Sequence, residues 1–150
     1  MIKRILILFA IAQLSMMGYS QTPKWAEKAK KAVFSVVTYD ANDKILNTGN
    51  GFFISEKGVA ISDYALFKNA QRAVIITSEG EKMPVKAILG ANDMYDVVKF
   101  SVDITSKKVA NLTLSETPMT EGSKLWLLPY STQKVRSLTS GNVNSVDKIS

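Results

Sequence analysis

The feature that most constrains this chain is a succession of short apolar runs, rich in β-branched and aromatic residues, each closed within a few positions by glycine, asparagine or aspartate. Val33-Phe34-Ser35-Val36-Val37-Thr38-Tyr39 ends at a turn spelled "DANDK", and "GNGFFIS", "VAIS", "RAVIITS", "MPVKAILG", "DVVKFSVD", "NLTLS", "KLWLLPY" and "VRSLTSGNVNSV" follow in order. Such residues suit a pleated, half-buried surface. Runs this short at this spacing predict an all-β barrel or sandwich. Glu79-Gly80-Glu81 lies between two runs and reads as a hairpin turn, because glycine accepts positive φ without a steric penalty. Pro84 has no N–H for a ladder and therefore favours an edge or a strand start. Ahead of the first strand, "WAEKAKKA" predicts one short helix with Trp25, Ala29 and Ala32 on a common face. No linker, low-complexity tract or repeat period interrupts the pattern.

The opening residues, "MIKRILILFAIAQLSMMGYSQ", set Lys3 and Arg4 before an apolar run from Ile5 to Leu14, with the small-residue pattern Gly18-Tyr19-Ser20 behind it. This is the form of a secretory signal peptide over residues 1–20. The run is shorter than the about 20 residues a membrane span needs. We therefore expect cleavage after Ser20, a mature start at Gln21, and an exported protein, periplasmic or extracellular. Any membrane contact would come only through the uncleaved leader.

Removing Lys3 and Arg4 leaves 17 basic against 13 acidic residues, so the net charge falls from +6 to +4. That argues against a nucleic-acid partner, and Lys24, Lys28, Lys30 and Lys31 read as a solvated helix face. With 46% hydrophobic and 21% charged residues, the 150-residue chain has globular composition and fits one domain or the larger part of one. It contains neither cysteine nor histidine. Disulfides, Cys/His zinc sites, Cys–His dyads and a complete Ser-His-Asp triad are thereby excluded within it. No metal and no cofactor are expected.

In order and spacing the segments resemble the first barrel of the trypsin-like serine proteases, in particular the Deg/HtrA type. Gly49-Asn50-Gly51-Phe52-Phe53-Ile54 is similar to that family's G-[ST]-G-F-[IVF]-[IV] strand, and Gly58-Val59-Ala60-Ile61-Ser62 to the strand delivering its T-N-x-H-V motif. Ser62-Asp63-Tyr64-Ala65-Leu66 falls where that motif would stand, so Ala65 occupies the position of the catalytic histidine. "ILGANDMYDVVKFSVD" resembles the stretch ending in D-[IL]-A-[VL]-[LI], which sets Asp96 at the position of the triad aspartate. Glu121 to Pro129 is similar to the strand that opens the second barrel, and "SLTSGNVNSV" to its T-x-G-x-[IV]-S strand. The resemblance implies a trypsin-like peptidase domain over residues 21–150, with a first barrel over about 32–118 and an incomplete second barrel over 119–150. The nucleophile's G-[ND]-S-G-G segment would be expected beyond Ser150.

A serine hydroxyl attacks only once a neighbouring base takes its proton, while the carboxylate orients that base. Alanine does neither. The expectation is a protease fold inactive as given, with Asp96 a vestige of the site and Ala65 a substitution within it. The alternative is a non-catalytic barrel module that captures extended peptides or unfolded proteins by main-chain hydrogen bonds along a sheet edge. Two look-alikes carry little: Ser131-Thr132-Gln133-Lys134 and Ser145-Val146-Asp147-Lys148 both spell S-x-x-K, which needs a helix start and partner motifs. Asp93 with Asp96 would serve as a glycosidase pair only across a cleft. Asn111-Leu112-Thr113 is a glycosylation sequon in form. Trp25 and Trp126 read as packing residues.

Overall fold

The computed structural model describes residues 23–128, 130–131, 134–135 and 138–146. The expected signal peptide and its cleavage position lie outside the described residues. The elements, in chain order, are α1 (Lys24–Ala32), β1 (Val33–Tyr39), β2 (Ile45–Phe53), β3 (Val59–Ser62), a 3-10 turn (Tyr64–Leu66), β4 (Arg72–Thr77), β5 (Lys82–Asn92), β6 (Val97–Val102), β7 (Lys124–Leu127), β8 (Tyr130–Ser131), β9 (Lys134–Val135) and β10 (Thr139–Asn142). Strands β1 to β6 close an antiparallel barrel in the order β1-β2-β3-β6-β5-β4. The all-β class anticipated from the strand pattern is the one the chain adopts.

Alternation builds the barrel. Phe34 and Val36 on β1, Phe53 on β2, Ala60 on β3, Ile75 on β4, Met83 on β5 and Val98, Phe100 and Val102 on β6 share one buried cluster. Side chains two apart on a strand face the same way, so each run contributes its alternate residues to one interior. Three phenylalanines fill the centre: Phe34 lies 4.7 Å from Phe53 and 6.3 Å from Phe100, centroid to centroid. The register is pinned by pairs such as Val36↔Gly49, Val36↔Ile75 and Ala60↔Phe100. A one-residue slip would turn the whole interior set outward. Outside the barrel, β7 pairs with β10 and β8 with β9.

The helix runs directly into β1, and its buried face is Ala26, Ala29 and Ala32 rather than the expected Trp25, Ala29 and Ala32. Three small side chains at three-residue intervals let the helix sit close to the sheet. The bulky Trp25 is left 48% exposed and meets Trp126 edge to face at 5.8 Å. The expected strand at "NLTLS" does not form. Its backbone makes isolated bonds instead, the Leu112 N–H donating to the Phe53 carbonyl at 2.8 Å. The barrel is already closed at β2–β3 and β3–β6, which leaves this segment no ladder to join. Pro84 stands inside β5 rather than at its start, opposite Val74 at the end of the β4–β5 ladder. Its missing N–H is tolerated where pairing stops.

Candidate functional site

Ala65 does not end a strand. It sits in the 3-10 turn Tyr64–Leu66, just past β3, and three sets of contacts fix that turn. First, Leu66 packs into the space beside Gly49 on β2, where any β-carbon would collide with its side chain. Second, the Leu66 carbonyl accepts from Thr38 Oγ1 at 2.9 Å and from Asn47 Nδ2 at 3.3 Å, and the same hydroxyl accepts from the Asn47 N–H at 3.2 Å. Third, Phe67 stacks on core residue Phe100 with centroids 5.0 Å apart. Glycine on β2, threonine on β1 and phenylalanine on β6 thus hold one turn of the chain against the barrel end.

The fourth constraint is Asp96. Its carbonyl accepts from the Tyr64 N–H at 3.2 Å, and its carboxylate Oδ1 accepts from the Ala65 N–H at 2.6 Å. Covalent geometry then brings the two β-carbons within about 7.5 Å of each other. Asp96 closes the β5–β6 turn with φ of 50°, a left-handed conformation that aspartate tolerates better than most residues. Tyr95 N–H donates to Asn92 Oδ1 at 3.0 Å within the same turn. Two residues separated by 31 positions are therefore in direct contact, through the Asp96 carboxylate and the Ala65 backbone N–H. Both are solvent-exposed.

Around them the groups are paired. Lys68 Nζ reaches both oxygens of Asp93 at 3.0 Å. The hydrogen bond and then the charge of that carboxylate hold the Lys68 ammonium above its ordinary pKa. Asp93 is accordingly one half of an exposed ion pair rather than half of a glycosidase pair. Buried Ser62 donates from Oγ to the Asn50 carbonyl at 2.7 Å, so its hydroxyl is engaged with backbone. Ser131 and Lys134 are opposed across the β8–β9 ladder and start no helix, and Lys148 lies outside the described residues. Among the described residues no cluster of acidic side chains suits a metal ion.

Next to this corner lies a cleft of about 630 Å³, lined chiefly by Trp25, Val33, Phe52, Ile61, Trp126 and Leu138, with Asp63 and Ser62 on its rim. The Asp96 carboxylate accepts the Ala65 backbone N–H, and the methyl side chain of Ala65 has no proton to exchange. The positioning roles of Thr38, Asn47 and Gly49 carry no local sequence signal, since each depends on a partner 17 or more residues away. No helix among the described residues is long and apolar enough to cross a membrane. No known protein-family profile matches the chain, and no curated protein matches it in sequence.

Proposed function

We propose that this protein is an exported homologue of the trypsin-like serine proteases, of the Deg/HtrA type, that has lost the catalytic base and acts by binding rather than by hydrolysis. The observation that carries the reading is the contact of Asp96 with position 65: a carboxylate aimed at the one residue that the resemblance assigns to histidine. The six-stranded closed barrel and the signal-peptide form of residues 1–20 support it. Asp96 keeps a structural task, since its carboxylate accepts the Ala65 N–H, and that explains why an acid persists where no imidazole needs orienting.

The test is Ala65→His. The chain has no other histidine, so its imidazole resonances in a proton NMR titration are unambiguous. We expect its pKa above the usual value of about 6.5, because the neighbouring carboxylate favours the charged ring. We expect the elevation to vanish in Ala65→His/Asp96→Asn. An ordinary midpoint indifferent to Asp96 would refute the assignment of the site. Proteolysis by the unaltered protein, blocked by a serine-directed fluorophosphonate, would refute the non-catalytic role.

A further inference from the structure

The β4–β5 ladder is short: Ile76↔Lys82, Ile75↔Met83 and Val74↔Pro84 complete it. Two features end it. Pro84 has no N–H to offer β4, and β5 carries bulges between Val85 and Ala87 and between Ile88 and Gly90. Bulges increase local twist and bend the strand that carries them. From Val85 onward β5 therefore leaves β4 and stays with β6 alone, through Asn92↔Val97. Among the described residues the other edge of Lys86–Asn92 has no strand beside it. Seven consecutive residues there are exposed, Ile88 at 51% and Leu89 at 53% among them. The edge begins at a groove of about 240 Å³ between the parted strands, floored by Phe67 and walled by Ala73 and Val85.

A closed barrel ordinarily removes strand edges, and exposed edges are usually blunted. On the open stretch the blunting is confined to its bulges and to Lys86, its one charge: it holds neither proline nor acid, and nothing lies within 4 Å of the position a Gly90 β-carbon would take. Lys99, opposite Gly90 on β6, is exposed like Lys86, and among the described residues neither forms an ion pair. Arg72 on the groove wall is paired, its Nε donating to Asp43 Oδ1 at 2.7 Å.

We propose that the outer edge of β5, Lys86–Asn92, is a strand-addition site for an extended segment of another polypeptide that alternates apolar and acidic residues. Main-chain hydrogen bonds to the open edge supply the affinity. Ile88 and Leu89 receive the apolar side chains. Lys86 selects a carboxylate, since opposite charges facing across a ladder attract. A second copy of this chain is disfavoured as the occupant, because self-pairing would bring together two bodies of net charge +6, or +4 without Lys3 and Arg4. The proposal deepens the binding role, on which it rests, and is independent of the family assignment.

The test uses the whole protein and an end-capped, fluorescein-labelled peptide of sequence VEVTVEVT. We expect saturable binding, with backbone amide shifts confined to β5 from Lys86 to Asn92 and its β6 partners. N-methylation of alternate peptide residues on the pairing edge should abolish it. Lys86→Glu should weaken binding about threefold at low salt, as for one cross-strand ion pair, and the difference should close near 1 M salt, where screening acts within about 3 Å. Lys86→Gln gives the same direction without a new charge, and unchanged thermal unfolding certifies both folds. Equal binding of the N-methylated peptide, or shifts at the Trp126 cleft in place of β5, overturns the edge site but leaves the binding role. Absence of any binding at millimolar peptide overturns both. Concentration-dependent dimerisation through β5, without peptide binding, overturns the choice of occupant.

Discussion

Substituting Gly51 by alanine tests the packing that brings β2 against β3 beside the candidate site. Gly51 is buried on β2, opposite Phe34 on β1 and Ser62 on β3. An added β-carbon would stand 2.6 Å from Phe34 Cε2, 2.8 Å from the Ile61 carbonyl oxygen and 3.0 Å from Phe34 Cζ. The ring belongs to the barrel interior, where Phe53 and Phe100 already flank it, and the carbonyl is backbone held in a paired strand. Neither retreats without moving a strand. Overpacking of a close-packed core costs about 1–3 kcal/mol. Against this, alanine restricts the unfolded chain and returns about 0.4–1 kcal/mol. The net expectation is a loss of about 1–2 kcal/mol, read as a lower midpoint with unchanged slope in urea unfolding and as a fall of roughly 3–10 °C in Tm for a domain of this size. Because Gly51 faces Ser62, the last residue of β3, the amide signals of Tyr64 and Ala65 should shift as well. A variant as stable as the parent, or more stable, would mean that only the unfolded-state term operates and that the close approach of Phe34 and Ile61 to β2 is wrong.

Thr38→Val removes the hydroxyl that bridges the Leu66 carbonyl and the Asn47 N–H while nearly keeping the side-chain shape; we expect a loss of about 1–2 kcal/mol in denaturant unfolding and faster hydrogen exchange at Ala65, and unchanged exchange there would show that the turn is held by other means. Lys68 has a folded-state pKa raised by Asp93, so its pairing stabilises the fold below the unfolded value of 10.5 and is lost as pH rises through the folded one. Lys68→Gln should accordingly remove a small, salt-sensitive increment at neutral pH and lessen the further decline at alkaline pH, which stability measured between neutral and strongly alkaline pH at low and high salt checks.

How much of this was legible beforehand divides along physical lines. A strand's side-chain period is two and needs only local sequence, so the run of β-branched and aromatic segments was enough to predict an all-β architecture; that Phe34, Val36, Phe53 and Phe100 share one interior is a result of barrel closure. Turn chemistry was local too: Gly80, with φ of 83°, sits in the hairpin its sequence announced. The helix was predictable from composition, but its buried face was not. Whether Trp25 or Ala26 turns inward depends on how closely the sheet lets the helix approach, and alanines at three-residue spacing allow the closer packing. For the same reason "NLTLS" resembles a strand yet forms none, since a ladder requires a free edge and the closed barrel offers that segment no such edge.

Residue identity alone decided that no imidazole acts here, and the sequence pattern alone singled out Ala65 and Asp96 as a pair to be compared. Their contact is a tertiary fact, made by a left-handed aspartate closing the β5–β6 turn against a 3-10 turn that Gly49, Thr38 and Asn47 hold from two other strands. The open edge of β5 is tertiary in the same sense. Proline and apolar residues in a row announce a strand, but only strand pairing shows that its partner on one side ends at Val74↔Pro84 and that Lys86–Asn92 continues beyond it. Hydrogen-bond partners distant in sequence are selected by barrel closure, and local sequence carries no record of which groups closure leaves unpaired.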